Sequence, residues 1–285
     1  MGARLVPPWE ARGTQVITSV EIKRFRGIRE GLLSGLSELV ILVGRNGCGK
    51  SAILDALFVA TSQWPGAAIA RVIRRHQGVA GAARWLLWKA GAEPGTQVSI
   101  ADQVGYQLRI RFALEPAVDG LTAIVEELRQ PPREQVAEWV KIAPLILVRT
   151  TDAANYSADS CDVTLQRPGS QLVDACASDP SPTLHQLYTT TVEQGRGHLI
   201  KEILTGLIPG LKNVEILTDK NNQPVLHFVF ADRSVPACMA GDGLVALLRI
   251  ALELSPRSGG TVLIEEPEAK QHPGAMRVSA RVIVE

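Results

Sequence analysis

Apolar positions change period several times along the chain, and each change marks an expected element. Val16, Ile17, Val20, Ile22 and Phe25 partly alternate as in a strand, and a turn is expected around Gly27 and Gly31. Leu39-Val40-Ile41-Leu42-Val43 is apolar at every position, which predicts a strand covered on both faces, as in a parallel sheet. From Gly49 to about Gln63 the spacing becomes helical, with Ile53, Leu54, Leu57 and Phe58 on one face and Pro65-Gly66 as the stop. Residues 67–92 are also expected to be helical. Gln97 to Leu114 alternates as one or two strands, and Ala143 to Val148 is a further short strand.

Residues 1–14 mix Gly, Pro and charge without a period and read as a flexible tail. Between about Asp152 and Ser181 the period is lost again, which predicts a loop or insert. Helical spacing returns from Thr183 to Leu207. Val214–Leu217 and Val225–Phe230 then flank Asp219-Lys220-Asn221-Asn222 as a hairpin. Leu244 to Leu254 reads as a helix and Thr261 to Ile264 as a buried strand. Neither repeats nor long heptads occur, so a long coiled-coil arm is excluded.

With 285 residues and 46% hydrophobic content, the chain can bury a substantial core. Thirty Lys+Arg against 29 Asp+Glu leave a net charge of +1, so no global field marks a nucleic-acid or membrane binder. The richest helical stretch, Leu244 to Leu254, is too short for a membrane span and carries Arg249 and Glu253. Cys48, Cys161, Cys176 and Cys238 are too scattered for a zinc site or a disulfide framework, which predicts reduced thiols and a cytoplasmic location.

Two segments carry candidate chemistry. Gly44-Arg45-Asn46-Gly47-Cys48-Gly49-Lys50-Ser51 has the phosphate-loop pattern, set between an apolar run and an amphipathic helix. Its glycines let the backbone wrap an anion, and its amides and the helix start offer partial positive charge. Lys50 is then placed to reach the β- and γ-phosphates of a nucleotide, and the Ser51 hydroxyl to bind Mg²⁺. Cys48 reads as a small residue tolerated in this loop. Far downstream, the strand ending in Glu265-Glu266-Pro267-Glu268 supplies an acidic pair. Glu265 suits a metal held through its water shell, and Glu266 suits a base that orients or deprotonates the attacking water.

Together these segments resemble the Walker A and Walker B motifs of the ABC-type P-loop ATPases of the AAA-21/AAA-15 group, the SMC, RecF and OLD kind. That family usually reads Asp-Glu-Pro-Glu with a later Leu-His-Pro, so Glu265 stands for Asp and Gln271 for Leu. Ala240-Gly241-Asp242-Gly243 falls where the family places its signature turn, with Gly241 at the serine position. The competing reading is that Asp242 merely caps a helix.

The resemblance implies an α/β fold: a RecA-like (ASCE) parallel core, an N-terminal β layer and a helical lobe. It implies a single head over 15–285, with lobe or insert segments at about 67–92 and 152–210. Its implied reaction is Mg²⁺-dependent ATP hydrolysis in a head-to-tail homodimer, with Lys50, Ser51, Glu265 and Glu266 from one subunit and Gly241, Asp242 and Gly243 from the other. The implied setting is DNA repair or anti-phage defence, with DNA or a nuclease or other effector as partner and no membrane. A non-hydrolysing regulatory or scaffold subunit is the alternative, and a transporter ATPase is disfavoured because no Leu-Ser-Gly-Gly-Gln occurs. Relatives carry one more core strand ending in Thr-His-Ser after the Walker B helix. The head is therefore expected to be C-terminally incomplete, and residues 1–285 alone to bind ATP weakly and turn it over poorly.

Weaker signals remain open at this level. Lys23, Arg24, Phe25, Arg26 and Arg29 either approach the nucleotide base, as the resemblance implies, or line a solvated strand edge. Arg71, Arg74, Arg75, His76 and Arg84 either meet a nucleic-acid backbone or form a solvated face over Trp85 and Trp88 as buried tryptophans. His272 matches the family's Leu-His-Pro but gains no role from the sequence.

Overall fold

The computed structural model describes residues 16–75, 82–115, 120–129, 137–142, 145–150, 156–159, 165, 169–174, 182–254 and 260–284. Their packing forms two compact units, Met1–Gln171 with Gly259–Leu263, and Leu172–Ser258 with Ile264–Glu285.

In the first unit, β1 (Ile17–Phe25) and β2 (Ile28–Ser34) form a hairpin, followed by α1 (Lys50–Thr61) and α2 (Pro65–Arg74). Next come β3 (Thr96–Asp102), β4 (Gln107–Glu115), β5 (Gly120–Arg129), β6 (Glu138–Lys141), β7 (Ile146–Thr150) and β8 (Tyr156–Asp159). These eight strands make one sheet in the order β2-β1-β3-β4-β5-β7-β8, with β6 also on β5. All of these ladders are antiparallel. The pleat explains the face: Ile22 pairs with Val98, Val98 with Ile110, and Ile110 with Val125, so one row of apolar side chains crosses four strands. All four residues are buried, and both helices pack on strands of this sheet.

The expected parallel RecA-like core is therefore not what these strands build. Leu39–Val43 lies in no strand, and Ile41 and Val43 are 76% and 89% exposed. A uniformly apolar run satisfies the side-chain condition for a central strand. It becomes one only if neighbouring strands take its N–H and C=O groups. Gly31, expected in a turn, pairs with Ile22 inside the β1–β2 ladder. Pro65-Gly66 ends one helix by opening the next, with Pro65 in the first turn of α2. Residues 82–86 and 88–91 are short 3-10 segments, not a continuous helix.

Within the stretch expected to be loop, β9 (Ser170–Asp174) pairs with β13 (Thr261–Glu265). The second unit contains α3 (Leu184–Glu193), α4 (Gly197–Leu207), the hairpin β10 (Asn213–Thr218) and β11 (Pro224–Val229), then β12 (Ser234–Pro236), α5 (Asp242–Leu254) and α6 (Pro273–Val284). Left-handed Gly195 (φ 74°) separates α3 from α4. Asp219 closes the hairpin by accepting the N–H groups of Asn221 at 2.7 Å and Gln223 at 2.9 Å, a side-chain substitute for backbone turn bonds. Leu204, Val214, Phe228, Leu248 and Leu252 are among the residues that form its core.

Candidate phosphate loop and acidic segment

The candidate phosphate loop turns where its glycines permit. Gly47 and Gly49 adopt φ of 77° and 100°, a left-handed backbone that a side chain disfavours. Gly44 is constrained differently: a Cβ there would stand 2.6 Å from the Cys48 sulfur. Gly49 is the N-cap of α1, which starts with no side-chain cap and no acidic residue in its first turn. No side chain of its own first turn therefore offsets the partial positive charge of that end.

Lys50 folds back onto the same loop, its Nζ donating to the carbonyl oxygens of Gly44 at 2.7 Å and Arg45 at 3.1 Å. Arg45, Asn46 and Cys48 are exposed, and Ser51 is half-buried. The loop is closed by one further bond, from Cys48 N–H to the Arg45 carbonyl at 3.3 Å.

Nothing in the sequence pattern singles out the residue behind this loop. Asp55 of α1 is fully buried and accepts hydrogen bonds from Arg26 and from Arg75. Burial and the neighbouring Arg75 hold the Arg26 guanidinium below its ordinary pKa. Arg26 therefore lies on no solvated edge, since its partner is the buried Asp55 carboxylate. Arg24 instead binds the Pro94 carbonyl and lies 3.7 Å from Glu93, while Lys23 pairs with Glu21 at 2.7 Å on the surface. In the second basic group, Arg71 stacks on Phe58 and Arg84 on Trp85. Trp85 is 52% exposed, contrary to a buried indole, and His76 lies outside the described residues.

In the second unit, Glu265 closes β13 half-buried, and Glu266 follows, exposed, with a φ of 46°. A tight turn comes next, with Ala269 N–H donating to the Glu266 carbonyl at 2.9 Å and Gln271 N–H to that of Glu268 at 3.2 Å. His272 acquires a structural role at the start of α6. Its Nδ1 accepts the Gly274 N–H at 3.2 Å, and its carbonyl accepts those of Ala275 and Met276.

The turn Gly241-Asp242-Gly243 opens α5 against this segment. Asp242 lies 3.5 Å from Lys270 in an exposed ion pair, and a Cβ on Gly243 would come within 2.4 Å of the Lys270 carbonyl oxygen. Asp242 makes no capping bond of its own among those found at this helix start. A shallow cavity of about 900 Å³, lined in part by Gly241, Gly243, Leu244, Lys270 and His272, opens here. The candidate phosphate loop belongs to the first unit, and Glu265 and Glu266 to the second.

Among the described residues no group of three or more His, Cys, Asp or Glu side chains could hold a metal. A Mg²⁺ ion shared with phosphates does not require one, because one or two protein oxygens then suffice. Among the same residues, Cys48 and Cys238 are free and exposed, while Cys161 and Cys176 lie outside them. No described helix is long and apolar enough to cross a membrane.

These features define a mixed α/β chain with a mainly antiparallel sheet and a helix start that has no side-chain cap. A family model described as a protein of unknown function (DUF2813) matches residues 16–65, the span from β1 through α1 that contains the loop. An uncharacterized protein of Methanocaldococcus jannaschii is 48% identical over 42 residues, 15% of this chain and 19% of that relative. The match thus spans about a fifth of the relative's length. Among solved structures, an SMC head bound to the C-winged helix domain of ScpA covers 94% of this chain and 85% of that one, at 15% identity and a TM-score of 0.49. A likeness at that level carries no inference about this chain.

Proposed function

We propose that this chain is a nucleotide-binding ATPase head of the SMC, RecF and OLD kind. The observation that supports it most is the start of α1, where an uncapped helix terminus, two left-handed glycines and an inward-folded Lys50 form one turn. Such a turn suits a polyphosphate, because amides, helix dipole and ammonium all favour negative charge.

In this reading the amides of Gly44 to Ser51 and the Lys50 ammonium receive the β- and γ-phosphates of ATP. Ser51 and Glu265 are hard oxygen donors that fit Mg²⁺, which would polarise the terminal phosphate when bound. Glu266 orients the attacking water and accepts its proton as the oxygen bonds to the γ-phosphorus and ADP leaves. Gly241, Asp242 and Gly243 serve a second copy in a head-to-tail homodimer, with backbone amides in place of a signature serine. A role in DNA repair or phage defence, with a DNA or nuclease partner, rests on the sequence resemblance alone.

The test uses the full chain with Mg²⁺ and a fluorescent ATP analogue, alongside phosphate release. Glu266→Gln should keep binding, lose release and favour a dimer by light scattering. Release that persists in this variant would remove Glu266 from the reaction. The second reading, a nucleotide-binding regulatory or scaffold subunit without turnover, is favoured by Leu39–Val43, which enters the loop outside any strand. It predicts binding with no release in the wild type and no effect of Glu266→Gln.

A further inference from the structure

Asp55 sits four residues, about one helical turn, beyond Ser51 on α1, so its Cα is about 6 Å further along the axis. Each carboxylate oxygen has its own cation: Oδ1 accepts from Arg75 at 2.6 Å and Oδ2 from Arg26. Arg75 is the C-cap of α2, and Arg26 stands in the turn between β1 and β2. The Arg26 N–H is itself fixed on the Leu86 carbonyl at 2.8 Å. Both arginine side chains are largely covered, at 21% and 14% exposure.

The loop has few other restraints. The chain enters it through the largely exposed segment 39–43, and its hydrogen bonds found beyond the helix are internal ones. Apolar packing of α1 on the sheet is non-directional and tolerates a small slide or roll of the helix. Charge-assisted hydrogen bonds from two sides do not, because both distance and direction are specified.

We propose that Asp55 is a positioning residue for the phosphate loop: by clamping Arg26 and Arg75 it sets the register and rotation of α1, and so where Lys50 and Ser51 stand. This rests on the nucleotide reading above and adds a residue that does not itself touch nucleotide. Glu126 provides a matched control in the same unit, since it is a buried carboxylate held by Arg109 and Arg111 at 2.7 Å each and lies on the sheet, not on α1.

The experiment measures the dissociation constant of a fluorescent ATP analogue with Mg²⁺ for the full chain, well below its unfolding midpoint, together with that midpoint. Asp55→Asn should raise the constant about tenfold, as loss of a supporting shell does elsewhere. Glu126→Gln should lower the midpoint and leave the constant unchanged. A folded Asp55→Asn with wild-type affinity overturns the inference, as does an equal weakening in Glu126→Gln. If Asp55→Asn does not fold, Arg75→Lys keeps the charge, loses the planar fork and should also weaken binding. Wild-type affinity in that variant overturns the inference instead. Failure of the wild type to bind, or full binding by Lys50→Ala, defeats the nucleotide reading and this inference with it.

Discussion

The Lys50 ammonium stands 2.7 Å from the Gly44 carbonyl oxygen, so the cation is held by the very loop that, in the proposed reading, it shares with phosphate. A neutral carbonyl is a weaker partner than a phosphate oxygen, and the exchange favours the ligand. Lys50→Ala is therefore expected to weaken ATP-analogue binding at least about tenfold, a loss of ~1.4 kcal/mol. The unfolding free energy should stay within about 0.5 kcal/mol of wild type, because the bonds lost are exposed. Binding isotherms and denaturant melts on the same preparations check both halves. Raising ionic strength should also weaken wild-type binding, since the site is open to solvent.

Two glycines of one turn should answer differently to the same methyl group. A Cβ on Gly241 would meet nothing within 4 Å, whereas one on Gly243 would stand 2.4 Å from the Lys270 carbonyl oxygen. A backbone atom cannot rotate aside, so α5 or the 266–271 turn must shift. Gly243→Ala is expected to destabilise the protein by about 1–3 kcal/mol, and Gly241→Ala by less than about 0.5 kcal/mol beyond its backbone entropy effect. Urea melts of the two variants make the comparison.

Glu126 should confer pH-dependent stability. Burial alone would raise its pKa, but hydrogen bonds from Arg111 and Arg109 outweigh that and hold it below 4.5. A depressed folded-state pKa means stabilisation that is complete above the unfolded value and fades as pH falls through the folded one. Glu126→Gln should therefore lose about 1–3 kcal/mol near neutral pH. Its deficit relative to wild type should shrink as the pH is taken progressively below 4.5. Denaturation midpoints of both proteins across that range would show it, and a deficit that stayed constant would remove the ion pairs as its cause.

Ile41 and Val43 should tolerate charge. At 76% and 89% exposure, Ile41→Lys and Val43→Lys are expected to change stability by less than about 0.5 kcal/mol each. A strand buried on both faces would respond with several times that. A large loss in either variant would show that the segment is covered in solution.

That segment also shows why local pattern misleads at one place and serves at another. The β1 strand, α1, the β3–β4 pair, the Asp219 hairpin and α5 are legible because each is specified by its own period or turn chemistry. Leu39–Val43 has the side chains of a central strand, whereas strand status depends on distant backbone partners. The buried face of α1 also differs from its apolar pattern. Ala52, Asp55, Ala56, Phe58 and Val59 are buried while Ile53, Leu54 and Leu57 are only half so, so of the expected apolar face Phe58 alone is fully covered and smaller residues make up much of the rest of the contact.

Buried charge is the least legible feature. Asp55 looks like a solvent-facing helix residue until Arg26 and Arg75, 29 and 20 positions away, are known to converge on it. Glu126 similarly masks β5, since an acidic pair at 126–127 interrupts the Leu121, Ala123, Val125 alternation that the fold buries. The phosphate loop is visible because its glycines, lysine and serine are contiguous. What stands behind the loop is not.

The left-handed torsion at Glu266 bears on how its proposed role can be probed. Glutamine shares glutamate's shape and carries the same backbone strain, so a rate difference between them reports the missing negative charge. Glycine would relax the torsion, and valine or isoleucine would aggravate it. Either would blend a conformational disturbance with the electrostatic one, leaving the isosteric amide as the interpretable replacement.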